Sequence, residues 1–81
     1  MDTKSQRSWS KQLKLQTREA IQELPIYPDG NLHFKHVTLG FAKASLIDLL
    51  DGRIVLHNKE KLMVYYFDNV NCLIEAGWAI D

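Results

Sequence analysis

Arg53-Ile54-Val55-Leu56-His57-Asn58-Lys59-Glu60-Lys61-Leu62-Met63-Val64-Tyr65-Tyr66-Phe67 is the stretch that decides the fold class. Two runs rich in β-branched and aromatic residues flank the polar tetrapeptide Asn58–Lys61, which reads as a β-hairpin with that tetrapeptide as its loop. Closing the loop with His57 opposite Leu62 aligns Ile54 with Tyr65 and Leu56 with Met63. Strand side chains alternate between faces, so Ile54, Leu56, Met63, Tyr65 and Phe67 fall on one face, the expected core face. The other face carries Arg53, Val55, His57, Leu62, Val64 and Tyr66. It is half apolar, so it is expected either to be partly covered or to meet a partner.

Helical signals lie on both sides of the hairpin. Ahead of it, Ser45-Leu46-Ile47-Asp48 resembles a capping box, Leu46, Leu49 and Leu50 follow, and Gly52 suits a C-terminal cap. This predicts a helix from Phe41 or Ser45 to Asp51, apolar almost all round and hence the most buried of the helices. After the hairpin, Asp68 reads as the cap of a short helix over 69–76 with the stripe Val70, Leu73, Ile74. Gly77 ends it, Trp78 packs back on Leu73, and Trp78-Ala79-Ile80 reads as a short edge strand.

Nearer the N-terminus, residues 1–7 are polar and are expected to fray, leaving 8–81 as a single domain. Ser8 or Ser10 is positioned to cap a helix running to about Leu24. On a wheel of 100° per residue, Trp9, Leu13, Ala20, Ile21 and Leu24 share a sector about 120° wide. Pro25 stops the helix. Pro28-Asp29-Gly30 signals a sharp reversal, with a short edge strand before it if any forms. A strand is expected over 32–38, with Leu32, Phe34 and Thr38 on one face. The sum is an α+β domain, a small mainly antiparallel three- to four-stranded sheet with about three helices on one face.

Composition bounds what such a domain can do. With 81 residues, 46% hydrophobic and 25% charged, the chain is an ordinary globular one whose core is too small to hold a deep substrate cleft at little cost. Formal net charge is zero, against a general coat for polyanions. The charge is nonetheless uneven: residues 1–24 carry five basic and three acidic side chains, and residues 25–81 carry five and seven. The lone Cys72 forms no internal disulfide, and no apolar run suits a membrane span or a secretion signal. These features lead to the expectation of a cytoplasmic protein.

The sharpest constellation is a row of cations. Lys4, Arg7, Lys11, Lys14 and Arg18 are spaced three, four, three and four residues apart. They would form one stripe about 21 Å long on the N-terminal helix. A stripe of this kind fits a row of phosphates or an acidic protein surface, and it is also what a helix with an apolar face keeps on its wet side.

The other candidates are weaker. His33 and His36 point to opposite faces of a strand, and no zinc-ligand spacing occurs. Cys72 near a helix start reads as a small core residue, with no base close by in sequence. Asp48, Asp51 and Glu75 read as helix-terminal charges. The run Tyr65-Tyr66-Phe67 leaves only Tyr66 free to stack on a base. No phosphate-loop, nucleophile-elbow or dinucleotide motif is present, so no cofactor, metal or small-molecule substrate is expected. The expectation is a non-enzymatic binding or regulatory module. It would act on a protein partner or on a second copy of itself, through the cation row and Val55, Leu62, Val64 and Tyr66. Nucleic-acid binding by the basic helix is the alternative.

Overall fold

The computed structural model describes residues 9–81. The elements run α1 (Lys11–Glu23), β1 (Asn31–His36), β2 (Gly40–Ser45), α2 (Leu46–Leu50), β3 (Ile54–Asn58), β4 (Val64–Phe67), α3 (Val70–Glu75) and β5 (Trp78–Ile80). The strands form one antiparallel sheet of five, in the order β4-β3-β2-β1-β5. The expected class therefore holds, with at least one strand more than expected.

The extra strand is β2. The helix was expected to start at Phe41 or Ser45; Ser45 is where it is capped, and the preceding Gly40-Phe41-Ala42-Lys43-Ala44 alternates, with Ala42 and Ala44 buried and Phe41 and Lys43 exposed. Pairing with Leu32 and Phe34 of β1 overrides the helix propensity of the alanines. The helix that remains, α2, is five residues long, and Ser45 caps it by accepting from the Ile47 N–H. It is not the most buried helix: only Leu49 is buried, while Ile47 and Leu50 are exposed.

The hairpin forms, with its register moved by two residues. His57 stands opposite Val64, not Leu62, so Leu56 faces Tyr65 and Ile54 faces Phe67. An even shift preserves the face of every side chain. Ile54, Leu56, Tyr65 and Phe67 stay on the core side, while Met63 falls outside the strand and is exposed. The longer loop is organised by Asn58, whose Oδ1 accepts from the N–H groups of Glu60 (2.8 Å) and Lys61 (2.9 Å). Its Nδ2 donates to the Leu39 carbonyl at 3.2 Å.

Other boundaries shift by smaller amounts. No strand precedes Pro28-Asp29-Gly30, and Ile26 there is exposed. Thr38 lies in the turn after β1. Asn69, not Asp68, caps α3, its side chain accepting from the Cys72 N–H. Cys72 is exposed, which overturns its reading as a core residue.

The core lies between the sheet's inner face and the helices. Leu32, Phe34, Leu56, Leu73 and Trp78 are at most 1% exposed, and Ala20, Ile21, Leu24, Leu46 and Val70 of the helical segments pack on the same cluster. Burying each large side chain contributes about 1.5–3 kcal/mol. α1 also closes the sheet's β5 edge. Thr17 is fully buried; its hydroxyl donates to the Leu13 carbonyl and accepts from the Ile80 N–H at 2.9 Å. A helix side chain thus takes the place of the missing neighbour strand.

Candidate functional site

The two sides of the molecule are unequal. All three helices contribute to the inner-face core, while on the outer face Ala79, opposite Lys35 on β1, is fully buried and the exposed side chains lie towards β2, β3 and β4. Strand alternation and register set what that face presents. Phe41 stands opposite Lys35, Lys43 lies between His33 and His57, His57 pairs with Val64, and Val55 pairs with Tyr66. At one end Lys35 reaches over Trp9, its Nζ 5.2 Å from the ring centroid. The Trp9 indole N–H donates to the Gly77 carbonyl.

The apolar part of the face gathers at the β4 edge. Tyr66 is 75% exposed, Val64 41% and Leu62 fully exposed, while Val55 is half-buried; Met63, of inner parity, is 50% exposed just ahead of β4. A shallow depression of about 370 Å³ runs there between Gly52, Arg53, Val55, Tyr66 and Asp68. Arg53 is held at its rim by Asp48 (3.0 Å) and Asp51 (3.5 Å). Val55, Val64 and Tyr66, chosen from the sequence by alternation alone, are brought together here. Leu62 is not brought against them: it is fully exposed in the loop that leads into β4. Phe41 escaped that reading because it stood as one of two possible helix starts, with no strand read over 41–44; their strict alternation of large or charged with small residues is the signal for one.

The backbone at this edge is open as well. The Asn58 N–H donates to the Met63 carbonyl, and the Lys59 N–H to the Phe41 carbonyl. Antiparallel ladders alternate hydrogen-bonded and non-bonded pairs, so the pairs His57–Val64 and Val55–Tyr66 are non-bonded. The N–H and C=O groups of Val64 and Tyr66 consequently point away from β3, out of the sheet. Among the described residues nothing pairs with them.

Only part of the cation row lies among the described residues. Lys4 and Arg7 lie outside the described residues, and α1 begins at Lys11 with Ser10 as its cap. Three of the five cations therefore lie on α1, along about 10 Å. Arg18 is engaged with the side-chain oxygen of Asn71. Lys14 is half-buried beside a second concavity of about 410 Å³, lined also by Trp9, Val37, Glu75 and Gly77.

The histidines have local partners. His33 lies on the outer face, with Nε2 2.7 Å from the Asp29 carboxylate. The Asn31 backbone N–H, with the adjacent His33, holds the Asp29 carboxyl below the usual carboxylate range. His36 points inward: Nδ1 accepts from the Thr38 and Leu39 N–H groups, and Nε2 donates to the Ala76 carbonyl at 2.6 Å. Among the described residues, no three His, Cys, Asp or Glu side chains converge to hold a metal ion, and no helix is long and apolar enough to cross a membrane. In comparisons with known proteins, no family model, no curated protein and no solved structure matches the chain.

Proposed function

We propose that the chain is a non-enzymatic binding or regulatory module that acts through protein–protein contact at the outer face and β4 edge of its sheet. The observation that carries this reading is the coincidence of exposed Val64, Tyr66, Leu62 and Met63 with the outward-pointing backbone groups of β4. An edge strand with these properties is a template for strand addition, and natural sheets ordinarily blunt such an edge with charge, proline or a covering element. Residues 64–67, Val-Tyr-Tyr-Phe, contain neither a charge nor a proline. Site-specific photocrosslinking in cells tests the reading. Tyr66→p-benzoylphenylalanine is expected to give a covalent protein adduct on irradiation, and Gln16→p-benzoylphenylalanine on α1 much less. Absence of any adduct at position 66 would overturn it.

A second reading, nucleic-acid binding by α1, draws support from the one-turn spacing of Lys11, Lys14 and Arg18 along that helix. Contact of these three with phosphates predicts a slope of about −2.7 in log K against log salt, and contact of all five cations of the row about −4.5. Fluorescence anisotropy with duplex and single-stranded probes measures it, and charge reversal at Lys11 and Lys14 is expected to remove most of the binding.

A further inference from the structure

We infer that the occupant of the β4 edge is a second copy of this chain, paired antiparallel about a twofold axis at Tyr65. This rests on the protein-contact reading above and specifies its partner. Only Val64 and Tyr66 send their backbone groups outward from β4. A twofold axis at Tyr65 sets Val64 of each copy opposite Tyr66 of the other, so these two positions satisfy one another by exchanging both backbone hydrogen bonds at each pair. The contact is isologous and closes on itself, joining two five-stranded sheets into one.

The side chains favour the same register. On the outer face, Val64 of one copy adjoins Tyr66 of the other, extending the apolar pair Val55–Tyr66 across the seam. On the inner side, Tyr65 meets Tyr65, and exposed Met63 stands across from half-buried Phe67. Charge fixes the direction. The loop before β4 carries Lys59, Glu60 and Lys61, a net positive charge, and Asp68 follows the strand. Antiparallel pairing brings the cationic start of one strand to the acidic end of the other, whereas parallel pairing sets like beside like. Sliding by two residues in one direction places Glu60 opposite Asp68, and in the other places Val64 opposite Asp68. Both are disfavoured relative to the register centred on Tyr65.

Sedimentation velocity on the full chain, at concentrations up to about 1 mM, tests the inference. A reversible species of twice the 9.4 kDa monomer mass is expected. Val64→Pro removes an outward N–H that the β3 ladder does not use, at an edge position where proline is tolerated. It is expected to keep the circular dichroism spectrum of the fold while weakening self-association at least about tenfold. If Val64→Pro unfolds, Tyr66→Lys supplies the same comparison. Register is read separately: in a Cys72→Ser background, Tyr65→Cys is expected to form an intermolecular disulfide on oxidation, and Gln16→Cys is not. A wild-type chain that stays monomeric over the whole range overturns the second-copy inference. So does a dimer unaffected by both edge variants. With a monomer, an adduct from position 66 to a different protein still upholds the broader reading, so the two fail separately.

Discussion

At Thr17 a buried hydroxyl joins α1 to the sheet. Fully buried, it makes two hydrogen bonds, donating to Leu13 and accepting from Ile80. Thr17→Val keeps the shape and strands the Ile80 N–H, with an expected loss of about 1–3 kcal/mol in chemical denaturation. Thr17→Ser, which keeps the hydroxyl, is expected to lose less. The position was legible in principle: on the wheel that gathers Trp9, Leu13 and Ala20, Thr17 lies within the apolar sector at about 80°. A search restricted to apolar residues passes over it. Gly77 is a second fixed point. Its φ is +102°, and an added Cβ would lie 2.6 Å from His36 Nε2. Gly77→Ala combines backbone strain with a clash against a ring held from both ends, so a loss of at least about 2 kcal/mol is expected in the same assay. Asp29 makes the residue-scale pH prediction. Its carboxyl is held below the usual range by the Asn31 N–H, so its contribution is complete above the unfolded value near 4 and fades as pH falls through the lower folded value. Asp29→Asn keeps an acceptor but no charge. The stability difference between wild type and variant is expected to shrink as an acid titration passes below about pH 4.

Among the elements, the hairpin shows what periodicity conveys and what it omits. Alternation placed Val55, Val64 and Tyr66 on the outer face and Ile54, Leu56, Tyr65 and Phe67 inside, because parity survives any even slip of register. It did not give the pairing itself, which depends on loop geometry that hydrophobicity does not encode. Asn58 sets that geometry by accepting from the Glu60 and Lys61 N–H groups while its amide ties the loop to the β1–β2 turn at Leu39. Asn58→Ala is expected to cost about 2 kcal/mol through these lost bonds, with amide chemical-shift changes concentrated at residues 59–63 and 39. Of the two expected helix starts, Phe41 and Ser45, the first fails for a related reason. Alanine has high helix propensity, yet at 42 and 44 it is the small side chain that fits beneath a sheet packed against Phe34 and Leu32. On α1 the Ser10 cap, accepting from the Leu13 N–H, places Lys11, Lys14 and Arg18 of the cation row on the helix, as their three- and four-residue spacing implies.

Across the whole molecule, the sheet's two edges are treated in opposite ways. At β5 the helix α1 lies alongside, Thr17 accepts from Ile80 and the Trp9 indole donates to Gly77. At β4 no described element covers the strand, and the backbone groups of Val64 and Tyr66 face outward. Composition could not reveal this asymmetry, since both terminal strands are short and apolar in sequence. It arises because an N-terminal helix lying against β5 is spent on one edge and cannot reach the other. Hydrogen exchange on dilute protein should report the difference directly. The Ile80 amide, bonded to a buried hydroxyl, is expected to exchange only through substantial opening of the fold, far more slowly than the amides of Val64 and Tyr66. In Thr17→Ala the Ile80 amide should lose most of that protection, while Val64 and Tyr66 change little. Equal protection at the two edges of the dilute wild-type protein would mean that something outside the described residues covers β4, and the edge would lose its claim as the contact surface.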